Sequence, residues 1–216
     1  MFKLYREPED DEVCIIGADP ADGGSDYCAA VAKSKKHGDS FMVFHNRMES
    51  SQFGYELHKM AKFIQKLTGH EPMIGVERNT GGATIATLQL VNYPNLFRMP
   101  KLGVTYMDEE ESGKIGWITN SYTRPKMLDD LALAMRQKAT IIYDEGTMRE
   151  MMRFIRNARS GKPEAAPGAK DDKVIAEAIC WQLYLLAPTP SRESLRSKIH
   201  QFPKQDLFDD HGNPNV

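Results

Sequence analysis

Three apolar runs along the chain each carry acidic residues at one end. Asp19 follows the run at 13–18, Glu77 follows the run at 73–76, and Asp171 and Asp172 open a long apolar stretch that continues to about residue 186. Short apolar runs bounded by turn residues indicate buried strands, and a longer run indicates a buried helix. If the first two runs are neighbouring strands, their carboxylates emerge side by side, and the helix can bring its first turn to the same place.

The opening of the chain has the pattern of an antiparallel meander. Strands are predicted over 12–18, 27–32 and 40–45, with turn-forming residues at 20–25 and a polar turn at 33–39 between them. An amphipathic helix follows from about Ser51, with Ser50 or Ser51 as its cap and Gly69 at its C-terminus. Its apolar stripe consists of Phe53, Leu57, Met60, Ala61, Ile64 and Leu67.

After that helix, the strand ending in Glu77 is expected to pair parallel to the first strand through a right-handed crossover. Further on, the pattern predicts a helix at 83–91, a strand at 96–99 and a polar hairpin at 105–119 with an acidic tip at 108–111. It then predicts a helix at 125–137, a strand at 140–143, a helix at 147–157, a loop at 158–170 and the final helix at 171–186. This order indicates an α/β, ribonuclease-H-like mixed sheet of antiparallel meander and parallel strands flanked by helices, although the pattern alone leaves other α/β folds open.

Composition limits the classes of protein that fit. The chain has 216 residues, which is long enough for one domain. Its formal charge is −2, so it lacks the overall positive charge that would indicate nucleic-acid binding. The three cysteines lack metal-ligand spacing, no run is long enough to span a membrane, and no signal core is present, which predicts a cytosolic protein. We expect an N-terminal extension or linker remnant at 1–12, a domain at 13–187 and a flexible tail at 188–216.

The acidic residues suggest a metal site, although each has a structural alternative. Asp19 could be a turn residue, Glu77 an isolated ion pair, and Asp171 or Asp172 a helix cap. Clusters of oxygen ligands hold Mg²⁺ or Mn²⁺, and two such ions about 4 Å apart are common machinery for cutting phosphodiesters. No Gly-x-Ser-x-Gly elbow, zinc-type histidine spacing or ATP-binding Gly-x-x-x-x-Gly-Lys-Ser/Thr loop is present. The sequence therefore predicts a metal-dependent nuclease.

Several segments resemble motifs of the nuclease domain of large terminase subunits from tailed bacteriophages. The first acidic motif corresponds to residues 17–21 with 26–30, and the second to residues 76–79 with Gly81. The central stretch corresponds to 116–119 with 124–128, and the third acidic motif to Asp171 and Asp172 with 174–176. The resemblance covers residues 13–186, with its elements in the family's order.

This resemblance implies a ribonuclease-H-like fold and a two-metal endonuclease that cuts concatemeric double-stranded viral DNA during packaging in the host cytoplasm. The implied ligands of two Mg²⁺ or Mn²⁺ ions are Asp19, Glu77 and one or both of Asp171 and Asp172. The implied partners are a terminase ATPase domain, the small terminase and the portal protein. Relatives often have histidine just before the third acidic pair, where this chain has Lys170. The family's ATPase is missing, so we expect an excised or separately expressed nuclease domain.

Contacts with DNA need local basic clusters, since phosphates must be neutralised. One candidate is the turn with Lys33, Lys35 and Lys36, and Lys170 is another. The favoured cluster consists of Arg149, Arg153, Arg156, Arg159 and Lys162. Its first three members have helical spacing and form a basic stripe that leads into the loop before Asp171, with a solvated helix face as the alternative. The acidic tip at 108–111 is interpreted as a movable flap or an ordinary turn. The tail is interpreted as a portal-docking segment or a disordered one. Two other functions stay open: a Holliday-junction resolvase of similar fold, and a non-catalytic DNA- or portal-docking module.

Overall fold

The structure is a computed structural model that describes residues 2–21, 26–100, 113–156 and 163–187. The strands are β1 (Lys3–Leu4), β2 (Cys14–Asp19), β3 (Tyr27–Ser34), β4 (Asp39–Arg47), β5 (Met73–Val76), β6 (Ile141–Ile142), β7 (Phe154–Arg156) and β8 (Pro163–Ala165). The helices are α1 (Ser50–Thr68), α2 (Gly82–Leu90), α3 (Thr123–Arg136), α4 (Glu145–Met151) and α5 (Asp172–Leu186).

A mixed sheet forms the centre of the fold, with strands in the order β1-β4-β3-β2-β5 and β6 paired to β4. The pairs β2–β3 and β3–β4 are antiparallel, whereas β2–β5 is parallel. Helix α1 lies between β4 and β5 along the chain and forms the crossover to the parallel strand. The predicted meander, the parallel pairing and the mixed α/β sheet flanked by helices are confirmed.

The two faces of the sheet are covered by different helices, because successive side chains of a strand point to opposite sides. On β2, Ile16 and Ala18 belong to the core that includes the apolar stripe of α1. Ile15 belongs to the second core, which α3 and α5 complete. By the same alternation, Gly17 and Asp19 lie on the α5 face. Of the described helices, none has the length and apolar character to cross a bilayer.

Helix α1 confirms the predicted apolar stripe in most positions and its predicted end. Gly69 has φ of 76°, the left-handed conformation that glycine adopts readily, and its N–H donates to the Gln65 carbonyl oxygen. The predicted serine cap is wrong. The N-cap residue is Glu49, without a side-chain cap, and the Ser50 hydroxyl donates instead to the carbonyl oxygen of Ala21 at 2.8 Å. Ser50 therefore ties the start of α1 to the segment after β2.

Three other predictions differ from the structure. The loop expected at 158–170 contains strand β8 at Pro163–Ala165. The helix expected at 147–157 is the short α4, which ends at Met151, and residues 154–156 are strand β7, paired with β8. The strand expected at 96–99 consists of isolated bridges, from Leu96 to Ile74 and from Arg98 to Ile115. The acidic tip at 108–111 and the tail from residue 188 lie outside the described residues.

Candidate metal site

Asp19 and Glu77 lie side by side at one edge of the sheet. In the parallel pair, Ala18 is in register with Val76, and the Glu77 N–H donates to the Ala18 carbonyl oxygen at 2.8 Å. Besides burial, the charge of the neighbouring Glu77 carboxyl group raises the pKa of Asp19. The first two sequence-predicted acids are therefore brought together, as expected for the ends of adjacent parallel strands.

Helix α5 brings the third acidic motif to the same place. Its backbone rests on Gly17, where a Cβ atom would lie 2.4 Å from the Ala176 carbonyl oxygen. This close approach puts the first turn of α5, with Asp172, beside the end of β2. Burial and the charges of Glu77, Asp172 and Asp171 all raise the pKa of Asp19 well above its ordinary value. These acids form one electrostatic cluster.

The backbone and side chains around Glu77 leave little freedom. Glu77 is only 8% exposed, and the Thr80 hydroxyl lies 3.3 Å from its Oε2 atom and 3.0 Å from the Pro20 carbonyl oxygen. Gly81, the N-cap of α2, packs so closely that a Cβ atom there would lie 2.1 Å from the Glu77 carbonyl oxygen. The turn at 78–81 therefore holds Glu77 at the edge of the sheet.

His45 is part of this site, although the sequence patterns did not single it out. In the antiparallel registers Asp19 pairs with Ala29, and Ala29 pairs with His45, so the three side chains lie in one row on the α5 face. The His45 Nε2 atom is 3.4 Å from Asp172 Oδ2. The only sequence signal for His45 was its place in the strand register, which a histidine-spacing search does not use.

Asp171 and Asp172 differ in their surroundings. Asp172 is 8% exposed and points toward His45. Asp171 is the N-cap residue of α5 but makes no side-chain cap, and its Oδ2 atom accepts a hydrogen bond from Arg124 at 2.8 Å. The helix-cap alternative therefore does not account for the Asp171 side chain, which is held by an arginine at the start of α3.

Hard divalent cations prefer carboxylate oxygens, which are the donor atoms that these acidic residues offer. The carboxylate oxygens of Asp19, Glu77 and Asp172 do not all lie within 4.8 Å of one another. Among the described residues, Glu9, Glu12 and His37 are the group of three whose ligand atoms all lie within 4.8 Å of one another. Glu9 and Glu12 are already ion-paired with Lys36 and Arg6.

The structure corrects the DNA-binding prediction for the β3–β4 turn. Lys33 is fully buried, in an ion pair with Glu177 at 2.8 Å, and is closed off from DNA. Lys35 donates to the carbonyl oxygens of Tyr184 and Ala187, and Lys36 pairs with Glu9. The turn lies beside the start of β2, roughly 17 Å from Asp19 at the 3.4 Å rise of a strand. This cluster is at the wrong end of the sheet for the candidate site.

The predicted basic helical stripe is also corrected, because α4 is too short to hold it. Arg149 is on α4, paired with Glu145, whereas Arg153 is in the following turn and Arg156 is on β7. Arg159 and Lys162 lie outside the described residues. Lys170 does lie beside the acidic cluster, where it forms an ion pair with Asp26 at 2.5 Å.

Several solved structures share this fold. The large terminase nuclease from thermophilic phage G20c matches with a TM-score of 0.60 and 19% identity, over 85% of this chain and 88% of that one. The large terminase nuclease domain of Thermus phage P74-26 matches at 0.58 and 18%, over 88% and 89% of the two chains. The human cytomegalovirus terminase nuclease domain matches at 0.57 and 14%, over 79% and 82%.

The G20c nuclease was also solved with bound cobalt and with bound magnesium, and these structures match with TM-scores of 0.57 and 0.60. No family model and no curated protein sequence matches the chain. At these identities the likeness establishes the fold. The chain has the ribonuclease-H-like fold of large terminase nuclease domains, as the sequence motifs predicted.

Proposed function

We propose that this chain is a metal-dependent endonuclease that cuts double-stranded DNA. The observation that carries the proposal is the convergence of Asp19, Glu77 and Asp172, from three separate elements, at one edge of the sheet. Packing carboxylates together costs free energy unless a cation offsets their repulsion. Such an arrangement is therefore favoured where a divalent ion is bound.

The proposed ligands are Asp19, Glu77 and Asp172, with Asp171 as an outer member that Arg124 orients. Mg²⁺ or Mn²⁺ fits these oxygen donors, and the cobalt- and magnesium-bound G20c nuclease supports a divalent site. Two bound ions would activate water and stabilise the leaving oxygen. The chain's own contribution is rigidity, since Gly17, Thr80 and His45 hold the carboxylates in place.

The proposed biological setting is genome packaging in the host cytoplasm, where the nuclease would cut concatemeric viral DNA. The support is the shared fold with terminase nuclease domains from phages and cytomegalovirus. A terminase ATPase domain, small terminase and portal are the proposed partners. Lys170, beside the carboxylates and paired with Asp26, is a proposed DNA contact.

Plasmid cleavage tests the proposed function. Supercoiled plasmid is incubated with the wild-type chain in Mn²⁺, in Mg²⁺ and in EDTA, and the same is done for Asp19→Asn, Glu77→Gln and Asp172→Asn. We expect nicked and linear DNA with Mn²⁺ or Mg²⁺, and at least a hundredfold loss in each variant, because each removes a charge from the ion site. Glu56→Gln on α1, where Glu56 pairs with Lys59, is the matched control.

Two results would overturn this assignment. If the wild-type chain and the three variants cut equally, a contaminating nuclease is responsible. If the folded wild-type chain neither cuts DNA nor binds Mn²⁺, the non-catalytic docking module is the better description. A strong preference for four-way junctions over linear duplex would favour the resolvase.

A further inference from the structure

One aromatic ring beside the acidic cluster gathers several nitrogen-bearing side chains. The Tyr27 ring stacks on His45, with ring centroids 4.4 Å apart and planes inclined by 16°. The Arg47 guanidinium lies over the same ring, 4.7 Å from its centroid, and the Lys170 ammonium lies 6.0 Å from it. We call Tyr27, Arg47 and Lys170 the Tyr27 cluster.

The position of the Tyr27 cluster follows from strand register. Tyr27 pairs with Arg47, and both are two residues beyond the row that contains Asp19, Ala29 and His45. Side chains two residues apart share a face, so the cluster continues the α5 face about 7 Å past that row. β2 ends at Asp19, whereas β3 and β4 extend beyond it as a two-stranded ribbon.

Arg47 and Lys170 carry charge opposite to that of the acidic site, and Asp26 is a carboxylate beside them. Arg47 is exposed, and its guanidinium lies over the Tyr27 ring. Lys170 lowers the pKa of the Asp26 carboxyl group most strongly, and Arg47 is near enough for its charge to lower that pKa further. Lys170 is half exposed and shares its charge with Asp26. A guanidinium stacked on a ring keeps its N–H edge open and loses little freedom when it binds an oxyanion in bidentate fashion. The Tyr27 ring therefore presents Arg47 as a ready anion ligand.

An ordinary cross-strand pair would also place an arginine over a tyrosine. Two features distinguish the Tyr27 cluster from such a pair. Lys170 approaches the same ring from a segment more than a hundred residues later in the sequence, so positive charge converges from two elements. His45 links the ring directly to Asp172, so the cluster is one side chain away from the proposed ion site.

We propose that Arg47, held on the Tyr27 ring and joined by Lys170, binds a backbone phosphate of DNA next to the one that faces the carboxylates. This inference rests on the proposed function and adds to it the surface that positions the substrate strand at the carboxylates. The ligand is a phosphodiester group of the DNA backbone, and the contact does not depend on the bases.

Binding of a short fluorescein-labelled DNA duplex of mixed sequence, measured by anisotropy in EDTA over a series of salt concentrations, tests the cluster apart from cleavage. We expect Arg47→Gln to weaken binding about tenfold and to reduce the salt slope by about one. Tyr27→Leu should weaken binding in the same direction, whereas Tyr27→Phe, which keeps the ring, should bind like wild type. Arg47→Lys keeps the charge without the planar stack and should give an intermediate loss.

Arg136→Gln is the matched control, because Arg136 is exposed at the end of α3, about 18 Å along the helix from Arg124. It should change neither the affinity nor the slope. Circular dichroism checks the folding of each variant, and Arg47→Lys and Tyr27→Phe provide conservative replacements if the others do not fold.

The outcomes separate this inference from the proposed function. If the wild type cuts plasmid and Arg47→Gln binds and cuts like Arg136→Gln, the phosphate contact is wrong and the nuclease assignment stands. If the wild type fails to cut but Arg47→Gln still loses affinity and salt slope, the contact stands without the nuclease. Failure of the wild-type chain to bind the duplex at all would overturn the contact.

Discussion

Gly17 lies directly against the backbone of Ala176, so that a Cβ atom at Gly17 would be 2.4 Å from the Ala176 carbonyl oxygen and equally close to the Cys180 nitrogen. The neighbouring strand repeats this arrangement, since a Cβ atom at Gly75 would meet the Leu183 side chain at 2.5 Å. Two adjacent strands thus have no side chain where α5 crosses them. The depth at which α5 sits, and therefore the place of Asp172, depends on these glycines.

We expect Gly17→Ala to lower the free energy of unfolding by about 1–3 kcal/mol, because backbone atoms cannot yield as a flexible side chain would. The added methyl group should also displace α5 and move Asp172 away from Asp19. Cleavage should therefore fall by more than the loss of stability explains. Urea unfolding followed by circular dichroism, together with plasmid cleavage well below the melting temperature, measures both effects.

Gly82→Ala is the control for that change. A Cβ atom at Gly82 has no neighbour within 4 Å, and the residue begins α2. Its stability should stay the same or rise slightly, since alanine favours helix and restricts the unfolded chain. A Gly17→Ala protein as stable and active as Gly82→Ala would refute the tight contact with α5.

Divalent cations should stabilise the wild-type chain and not the Asp19→Asn variant. An ion that binds only the folded state adds about 2.7 kcal/mol at a concentration a hundred times its dissociation constant. Melting temperatures with EDTA and with increasing Mn²⁺ measure this effect. In EDTA, Asp19→Asn should melt no lower than wild type, because burial and the neighbouring carboxylates oppose the ionised form of Asp19 and an amide does not ionise. Equal Mn²⁺ stabilisation of both proteins would place the bound ion elsewhere.

The parts of this site that sequence could predict are those that depend on local pattern. The run that ends in Asp19 and the run that ends in Glu77 are short, apolar and bounded by turns, and the helix between them implies a parallel pair. Parallel strands end at one edge, so the meeting of the two acids followed from the order of elements. Asp172 followed from the start of an apolar helix long enough to cover the sheet.

The rest depended on partners that are distant along the chain. Lys33 looked like a turn lysine, but its partner Glu177 is on the last helix, and no local pattern reveals that pairing. The arginines from 149 to 156 had helical spacing, yet Phe154 and Ile155 pair with β8, which ends the helix early. His45 entered the site only through strand register, which a one-residue slip would have reversed.

Asp144 should give the fold an acid-sensitive link. Burial alone would favour its protonated form, but hydrogen bonds from Tyr5 and Thr147 and the charge of Lys173 prevail and lower its pKa to about 2. A carboxyl group whose pKa is lower in the folded state stabilises the fold fully at pH values above its pKa in the unfolded chain, near 4. That contribution is lost as the pH falls through about 2. Asp144→Asn should therefore cost about 2 kcal/mol at neutral pH, and the cost should shrink below pH of about 4.

Urea unfolding of wild type and Asp144→Asn at several pH values measures that difference. Glu145→Gln, one residue further on, is the control, because Glu145 is exposed and pairs only at the surface with Arg149. Its effect should be a few tenths of a kcal/mol at most. A difference between wild type and Asp144→Asn that stays constant across the acid range would contradict the depressed pKa.

The buried ion pair of Lys33 and Glu177 should be essential for stability and irrelevant to DNA. Both side chains are fully buried, and the Lys33 ammonium also donates to the hydroxyls of Ser40 and Thr140. Lys33→Met leaves the Glu177 carboxylate without its partner, which should cost about 3–5 kcal/mol. Lys33→Met with Glu177→Leu should recover much of that loss, since an apolar pair can replace a buried ion pair.

Lys36→Met is the surface control, and it should change the free energy of unfolding by less than about 0.5 kcal/mol, because the Lys36–Glu9 pair is exposed. Anisotropy with the labelled duplex then shows whether Lys33 has a structural role or contacts DNA. The double variant should bind DNA as the wild type does, because its altered side chains face the core and lie toward the far end of the sheet from Asp19. If it folds and loses affinity as Arg47→Gln is expected to, then Lys33 reaches DNA and the buried ion pair does not describe the protein in solution.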